Sequence, residues 1–405
     1  MNCYDVLVVG GGPVGSWVAY RLADQGYQVA VLEQRKEPGK PTCCTGIVGR
    51  ECVERFGIPL EIIEREANSA CFFSPSGKSL RVQREEVQAY VLNRPALDSH
   101  LAQQARQAGA DYFFSCPAEE AVASAGRVEV QTRKGYFMGQ ALVLATGAEL
   151  GLLAKLGLKR GKALAFGAQV EVETNVEEVE VYFGREFAPG FFAWLVPLSG
   201  GRGLAGLLAR RSPRLHLRRF LERLVSQGKL SVVGEASFRT ILLSPPPRTY
   251  GDGLLVVGTA AGQVKPTTGG GIYFGLLAAE AAVETLQRAF STGDLSRKGL
   301  APYERAWKNK LGPELQIGCL ARKWFEALSD SQIERVFELI IRRRLHELLL
   351  RSPQLSFDWH SKALLLGLRH LLTGGLPLPG LKREKSPIPE LRRQRDAQGA
   401  ASHLR

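Results

Sequence analysis

The sequence predicts an α/β protein with a doubly wound parallel sheet, an inserted antiparallel β-sheet domain and a C-terminal helical region. Three observations predict this fold class. Apolar strands followed by glycine turns and helices begin the chain and return after residue 253. Between about 160 and 245, apolar and polar residues alternate as in antiparallel strands. From about 311 to 372, apolar residues recur at helical spacing.

The first 33 residues form a βαβ pattern that carries a nucleotide-binding motif. Gly10, Gly12 and Gly15 match G-x-G-x-x-G after an apolar strand, and Glu33 ends the second strand 18 residues after Gly15. Gly10 allows the tight turn, Gly12 lets the backbone approach a pyrophosphate, and Gly15 lets helix and strand pack closely. The helix N-terminus can bind phosphates, and Glu33 can accept hydrogen bonds from a ribose. The pattern predicts a Rossmann-type dinucleotide site; the alternative is a βαβ unit whose glycines serve packing alone.

A second G-x-G-x-x-G match, at 201–206, is interpreted as a hairpin turn. It lies between the apolar runs 192–197 and 204–208, with no crossover helix and no closing acid after it. A glycine-rich turn between two such runs predicts paired strands. We therefore expect one dinucleotide and no separate nicotinamide domain.

The other predicted elements follow in order along the chain. Helices are predicted at 97–108, 215–227 and 272–287, and strands at 110–115, 127–132, 136–138, 141–147, 163–173, 179–183, 231–243 and 253–257. The predicted domains are a discontinuous nucleotide-binding domain (1–70, 94–150 and 246–310), a β-rich substrate domain (71–93 and 151–245), a helical region (311–380) and a mobile basic tail (381–405).

Composition narrows the class of protein. The 405 residues are 45% apolar and 23% charged, as in an ordinary globular protein. No leader precedes the first strand and no 18-residue apolar run occurs, so we expect a cytoplasmic protein without a transmembrane helix. The seven cysteines are odd in number and lack metal-ligand spacing, so we expect a reducing compartment, no metal site and no iron–sulfur cluster.

The net charge of +13 is spread unevenly. Residues 340–405 contain thirteen Lys or Arg against five Asp or Glu, and the arginine triplet 342–344 lies among apolar residues. Such helices suit peripheral contact with an anionic membrane, here the inner face of the cell membrane. A solvated basic face on a packed helix explains the pattern equally well. Nucleic acid is not an expected partner, because no recognition motif accompanies the charge.

Three further motifs and one residue pair appear along the chain. They are Pro-Thr-Cys-Cys-Thr-Gly at 41–46, Phe-Ala-Trp-Leu-Val-Pro at 192–197, Gly-Thr-Ala-Ala-Gly-Gln-Val-Lys-Pro-Thr-Thr-Gly-Gly-Gly-Ile-Tyr at 258–273, and Arg94 with Asp98. Together with the N-terminal unit they resemble the FAD-dependent geranylgeranyl reductase family, within the hydroxybenzoate-hydroxylase-like flavoproteins. The resemblance extends from residue 5 to about 372.

The resemblance implies FAD as the cofactor and assigns residues to its site. The implied cofactor-binding residues are Gly10, Gly12, Pro13, Gly15, Glu33, Gln34, Cys44, Arg94, Gly147, Thr259, Gly262, Gly269, Gly270, Gly271 and Ile272. Cys44 is the implied catalytic residue, as a proton donor or a conformational gate; alternatively Cys43 and Cys44 are buried apolar residues. Phe192, Trp194, Pro197 and Tyr273 would line a tunnel for a prenyl chain, or form an ordinary aromatic sheet core.

Two residues depart from the family pattern. The glycine turn at 258–262 usually carries Asp where this chain has Thr259, and the later strand is usually followed by Asp where this chain has Thr146. A threonine hydroxyl can still bond a hydroxyl group of FAD, but it lacks the strength of a charge-assisted bond. We therefore expect weaker FAD retention than is typical of the family.

The implied activity is saturation of C=C bonds in geranylgeranyl chains on a lipid, quinone or chlorophyll precursor. Reduced flavin would deliver a hydride to one alkene carbon while a proton reaches the other, and NADPH or reduced ferredoxin would supply the electrons. A monooxygenase or halogenase of the same fold group is the main alternative. An electron-transfer flavoprotein–quinone oxidoreductase is a third, but the cysteines for its iron–sulfur cluster are missing.

Overall fold

The fold was analysed in a computed structural model that describes residues 3–41, 43–149, 151–352 and 356–373. The strands are β1 (Cys3–Val9), β2 (Val29–Leu32), β3 (Ile47–Gly49), β4 (Ile63–Ala67), β5 (Ser69–Phe73), β6 (Ser79–Gln83), β7 (Ala89–Leu92), β8 (Asp111–Phe113), β9 (Ala118–Ser124), β10 (Arg127–Thr132), β11 (Gly135–Leu144), β12 (Leu164–Thr174), β13 (Val179–Tyr182), β14 (Ala193–Pro197), β15 (Arg202–Ala209), β16 (Leu230–Val232), β17 (Ser237–Leu242), β18 (Tyr250–Gly251) and β19 (Leu254–Val256). The helices are α1 (Pro13–Ala23), α2 (Arg50–Phe56), α3 (Arg94–Gln107), α4 (Gly151–Lys155), α5 (Pro213–Ser226), α6 (Ile272–Thr292), α7 (Arg297–Ala327), α8 (Asp330–Arg342), α9 (Leu345–Arg351) and α10 (Ser361–Thr373). Short 3-10 turns occupy Leu60–Ile62 and Gly258–Ala261.

The first sheet is the predicted doubly wound sheet. Its order is β18-β19-β11-β1-β2-β8, with every pair parallel except β18–β19. Val6 and Val8 of β1 pack in one core with α1, α3 and α6, whereas Leu7 and Val9 pack in a second core on the opposite face. Both faces of the strand are therefore covered, which explains its uninterrupted apolar sequence.

One strand of this sheet differs from the prediction. The segments 136–138 and 141–147 were expected as two strands, but β11 is continuous. Its first half pairs antiparallel with β10, and its second half pairs parallel with β19. The strand passes close to β1, because a Cβ at Gly139 would lie 3.1 Å from both Tyr4 O and Leu7 Cγ. A glycine therefore lets the strand continue where the sequence suggested a break.

The second sheet is mostly antiparallel and has the order β16-β12-β15-β14-β13-β5-β6, with β17 also paired to β12. The predicted hairpin at 192–208 is confirmed by the antiparallel pairing of β14 with β15. The predicted strand 231–243 is two strands, β16 and β17, which pair with different parts of β12. One face of the sheet packs on Leu217, Phe220 and Leu224 of α5. The opposite face is left for the cavity described below.

A small third sheet, β3-β7-β4, and the C-terminal helices complete the structure. Helix α7 begins before residue 311, where the helical region was predicted to start, and residues on both sides of that position pack in the core of the first sheet. The domain boundaries stay predictions, and the predicted basic tail lies outside the described residues. Among the described helices, none has the length and apolarity needed to cross a membrane.

Candidate cofactor and substrate site

A cavity of about 1430 Å³ is lined by residues from both large sheets and from the C-terminal helices. Ligand pockets usually have volumes of about 300–1,000 Å³, so this one has room for a cofactor and a long second ligand. It brings together most of the predicted site residues: Gly10, Gly12, Pro13, Glu33, Gln34, Cys44, Arg94, Gly147, Phe192, Trp194, Thr259, Gly269, Gly270, Gly271, Ile272 and Tyr273. Gly15, Gly262 and Pro197 are not among the lining residues.

The three predicted residues outside the lining have clear positions. A Cβ at Gly15 would lie 1.9 Å from Gly10 O, so this glycine permits packing of α1 on the turn. A Cβ at Gly262 would lie 2.5 Å from Ser244 O, and its φ of +65° favours glycine. Pro197 is at the end of β14, where side chains alternate. Phe192 and Trp194 line the cavity, so Pro197 falls on the other face of the strand.

The glycine turn after β1 has the geometry expected for a phosphate site. Gly10 has a φ of +105°, and a Cβ there would lie 2.5 Å from Ala145 O. A Cβ at Gly12 would meet nothing within 4 Å, so the backbone is open to the cavity at this point. No side chain caps the α1 N-terminus, which leaves its N–H groups for a ligand.

Glu33 is fixed by the backbone around it. Its Oε2 accepts a hydrogen bond from Gly11 N at 2.7 Å, and its Oε1 accepts one from Arg35 N at 2.9 Å. The carboxylate is buried but lies in the cavity wall. The side chain therefore joins the end of β2 to the glycine turn, and each oxygen retains a lone pair that a ribose hydroxyl can use.

A second glycine loop precedes α6. Lys265 N donates to Gly270 O at 2.9 Å and Gly269 N donates to Lys265 O at 2.8 Å, which closes the loop. A Cβ at Gly270 would lie 2.9 Å from Lys265 Cε, and one at Gly271 would lie 2.5 Å from Val264 Cγ1. Side chains are thus excluded, and bare backbone faces the cavity. The uncapped N-terminus of α6 favours negative charge at this place.

A buried ion pair beside this loop was missed by the sequence analysis. Lys265 Nζ lies 2.8 Å from Asp358 Oδ1, and the two side chains are 5% and 1% exposed. Asp358 Oδ2 accepts a hydrogen bond from Gly49 N at 3.0 Å. Asp358 therefore links the glycine loop to the segment that follows the cysteines. Lys265 was visible in its motif, but Asp358 is remote in sequence and carried no local signal.

His360 adds a second link from the same C-terminal segment. Its Nδ1 lies 2.7 Å from Thr267 Oγ1, and Glu314 of α7 accepts hydrogen bonds from the backbone N–H groups of His360 and Ser361. Burial and the positive charge of Lys265 lower the pKa of His360 to about 4. The imidazole is therefore neutral at pH 7.

The cysteine pair lies in the cavity wall near Arg94 and Arg239. Arg94 Nη2 donates to Asp98 Oδ1 at 2.7 Å, both side chains being buried. Burial acts to lower the pKa of Arg94, but Asp98 and Cys44 raise it, and the net pKa lies above its usual value. Cys43 Sγ donates to Ser237 O at 3.5 Å, and burial raises the pKa of its thiol. The role of Cys44 in a reaction stays a prediction.

The far part of the cavity is aromatic and aliphatic. The Phe192 and Trp194 ring centroids are 6.0 Å apart, and Phe192 also contacts Phe183. The indole N–H of Trp194 has no hydrogen-bond partner among the described residues. Helical residues that the sequence analysis did not assign to the site complete the lining: Leu320, Trp324, Phe325, Ile340, Leu349 and Leu365. Their helical spacing was visible, but not the face that meets the cavity.

Comparison with known proteins identifies the family. The model of the FAD dependent oxidoreductase family DAO matches residues 5–46. A digeranylgeranylglycerophospholipid reductase from Methanocaldococcus jannaschii is 33% identical over 358 residues, 84% of this chain and 91% of that protein. Digeranylgeranylglycerophospholipid reductase 2 from Methanothermobacter thermautotrophicus is 33% identical over 350 residues, 82% of this chain and 90% of that protein. The chain belongs to the geranylgeranyl reductase family.

The fold agrees with this family membership. A geranylgeranyl bacteriochlorophyll reductase-like protein from Thermoplasma acidophilum matches with a TM-score of 0.81 and 24% identity, covering 91% of this chain and 96% of that one. The predicted fold class is confirmed. This member of the geranylgeranyl reductase family is an FAD-dependent oxidoreductase.

Thr146 and Thr259, the two departures from the family pattern, differ in their surroundings. Thr146 Oγ1 donates to Glu149 O at 2.7 Å, so its hydroxyl hydrogen is used within its own turn. Thr259 Oγ1 lies beside Gly271, where a Cβ would approach it to 3.4 Å. Neither supplies a carboxylate to the cavity. The expectation of weaker FAD retention stays a prediction.

Proposed function

We propose that this protein saturates the C=C bonds of geranylgeranyl chains carried by a lipid, as an FAD-dependent oxidoreductase acting on CH–CH bonds. The observation that carries the proposal is the 33% identity to a digeranylgeranylglycerophospholipid reductase, which covers 84% of this chain and 91% of that reductase. A cavity larger than a single-ligand pocket, with apolar walls on one side, supports it. Three carriers of the geranylgeranyl chain were expected: a lipid, a quinone or a chlorophyll precursor. The names of the relatives favour a lipid, and among lipids a glycerophospholipid.

The residues of the cavity fit FAD. The glycine turn with Gly10 and Gly12 would receive the pyrophosphate, and Glu33 the adenosine ribose. The loop at 269–271 and the α6 N-terminus would lie against the ring system, where N–H groups stabilise negative charge. Bound FAD, once reduced, supplies the hydride. The apolar walls exclude water and align the alkene, which lacks a carbonyl to polarise it.

A proton must reach the second alkene carbon, and Cys44 is our candidate donor. It lines the cavity, and the guanidinium of Arg94 interacts with it. Positive charge that develops on the alkene would be stabilised by the aromatic faces of Phe192 and Trp194. Tyr273, at the start of α6, would border the same region.

The electron donor is NADPH or reduced ferredoxin in our proposal. The nucleotide motif accounts for one dinucleotide, FAD, so the donor would bind transiently. Anaerobic mixing of the oxidised protein with each donor, followed at the flavin absorbance band, distinguishes the two. Rapid bleaching by one of them identifies the donor class.

We also propose peripheral contact with an anionic membrane, in a cytoplasmic setting. Large apolar side chains on the helices near the cavity are exposed, among them Leu320 at 68%, Trp324 at 52% and Leu365 at 51%. The arginines at 342–344 lie between Trp324 and Leu365 in sequence, next to Ile341 and Leu348, which are 37% and 40% exposed. Apolar residues beside basic ones suit a surface of anionic lipids, from which a prenyl lipid could enter the cavity.

The experiment that tests the activity uses purified, FAD-loaded protein that is chemically reduced without oxygen. A geranylgeranyl lipid extract is added, and the products are analysed by mass spectrometry. We expect products heavier by two hydrogens per step, with flavin reoxidised in parallel. No change in mass without oxygen, followed by oxygen incorporation in air, would instead assign the protein to the monooxygenases.

A further inference from the structure

Arg239 is a cavity residue that no part of the proposed function uses. It lies on β17 of the second sheet, and its side chain lines the cavity. It forms no hydrogen bond or salt bridge with the described residues, unlike Arg94, which is paired with Asp98. A guanidinium stays charged under all physiological conditions, so a partly buried one needs an anion.

The guanidinium points towards the nucleotide turn of the first sheet. A Cβ at Gly147 would lie 3.1 Å from Arg239 Nη2, so a larger residue would crowd the arginine. Gly147 follows β11 at the turn whose Ala145 carbonyl lies against Gly10. A side chain of the second sheet therefore reaches the turn that adjoins the phosphate loop.

The other charged groups around Arg239 do not neutralise it. Burial and the positive charges of Arg94 and Arg35 lower its pKa, while the nearby thiols of Cys44 and Cys43 raise it. Glu33 is held by two backbone N–H groups. The residue at 146 is a threonine, so it offers no carboxylate. This wall of the cavity is cationic, and it suits a ligand that brings negative charge.

We infer that Arg239 is a phosphate-binding residue of the cavity, with the FAD pyrophosphate as its first candidate ligand. The inference rests on the proposed function for the identity of the cofactor. The distance to the nucleotide turn favours this phosphate, because the glycine turn and the α1 N-terminus converge on the same region. A guanidinium adds two parallel, charge-assisted hydrogen bonds to such a group.

A lipid headgroup is the second source of the same chemistry. Across the sheet, Arg239 is aligned with Gly167 of β12, with Leu208 of β15 and with Phe192, the residue that precedes β14. Three strand spacings separate it from Phe192 by about 14 Å. A phosphate at Arg239 with its prenyl chain running towards Phe192 and Trp194 is therefore geometrically possible. If Arg239 binds the FAD phosphate, its replacement weakens the binding of FAD to the apoprotein. If it binds a lipid phosphate, its replacement weakens the binding of that lipid to the FAD-saturated protein.

The test compares Arg239→Gln and Arg239→Lys with an exposed arginine of the same sheet, Arg202→Gln. FAD is removed, and FAD and riboflavin are titrated into each apoprotein by flavin fluorescence without any substrate. We expect Arg239→Gln to weaken FAD about 10- to 100-fold, with riboflavin unchanged, because one charged hydrogen-bonding group is lost. Arg239→Lys should recover part of the affinity, and Arg202→Gln should match the wild type. Circular dichroism verifies that each variant is folded.

A second arm uses the FAD-saturated proteins and geranylgeranyl phosphate, with geranylgeraniol as the phosphate-free probe. Unchanged FAD affinity with weakened geranylgeranyl phosphate would retain the phosphate site and assign it to the lipid. Unchanged affinity for both phosphates would overturn the inference. Both arms measure binding and neither requires turnover. If Arg239→Gln weakens FAD binding but the wild-type protein reduces no prenyl lipid, the inference about Arg239 stands and only the proposed function is refuted.

Discussion

Replacing Asp358 by Asn should destabilise the protein and loosen the cofactor loop. The charges of Lys265 and Asp358 are 2.8 Å apart, and at an effective dielectric constant of about 20 their attraction is about 6 kcal/mol. Desolvation of both ions offsets much of this attraction, so the pair itself adds little. Removing one partner, however, leaves an uncompensated buried charge at a cost of about 3–5 kcal/mol.

The assay is urea unfolding of the apoprotein and the FAD-loaded protein, followed by tryptophan fluorescence. Trp359 is one of the five tryptophans that contribute to this signal, and it lies beside the pair, where its indole N–H donates to Glu51 Oε2 at 2.7 Å. We expect Asp358→Asn to lower the free energy of unfolding by about 3 kcal/mol or more. The double variant Lys265→Met/Asp358→Leu should lose less unfolding free energy than the summed losses of Lys265→Met and Asp358→Leu measured separately. The reason is that no lone buried charge remains in the double variant.

A surface ion pair provides the control. Arg133 and Glu119 are 2.9 Å apart, but their side chains are 80% and 41% exposed. Glu119→Gln should therefore change the free energy of unfolding by less than about 1 kcal/mol. If Asp358→Asn changes stability as little as this control, or if the two single losses simply add, the reasoning about the buried pair is wrong.

Three further predictions follow from the site. If the Cys44 thiol donates the proton, Cys44→Ser should retain FAD but slow alkene reduction by about 100-fold or more. The rate of flavin reoxidation in a single turnover measures this effect. An equal loss of rate in Cys43→Ser would contradict a specific role for Cys44. His360 has a lowered pKa, so its share of stability is present above the unfolded value of about 6.5 and is lost as the pH falls through about 4. Urea midpoints from pH 7 to 4 should therefore fall less steeply in His360→Gln, and parallel curves would refute the assignment. Trp324→Ser should weaken flotation with anionic liposomes, whereas Leu60→Ser, which alters a side chain that is 75% exposed outside the C-terminal helices, should not.

The N-terminal half of the cofactor site could be predicted because its signal is local. Strand, turn, helix and acid lie within 33 residues. Gly10 and Gly15 have the close backbone contacts that their roles require, and Gly12 leaves the backbone open to the cavity. The family motif at 192–197 also brought Phe192 and Trp194 to the site, and both line the cavity. The same motif also assigned Pro197 to the tunnel, but Pro197 is three positions after Trp194 in β14, and alternation along a strand places it on the opposite face.

Other parts of the site could not be predicted because they depend on tertiary contacts. Asp358 meets Gly49 across 309 residues of sequence, and nothing near either residue indicates the other. Arg239 lies in a strand whose alternation gives its face but not its distance from Gly147. The continuity of β11 had a similar cause, since Gly139 allows a close approach to β1 that a local pattern does not reveal.

The charges of the cavity separate residues that define the structure from one that is available to a ligand. Arg94 and Lys265 each have a buried carboxylate as partner, so their substitution should appear first in stability. Arg239 has no such partner among the described residues, so its substitution should appear in ligand affinity while stability changes little. Replacing a paired residue should therefore lower the free energy of unfolding, whereas replacing Arg239 should lower the affinity for the ligand. A loss of stability in Arg239→Gln as large as that in Asp358→Asn would place Arg239 with the structural pairs.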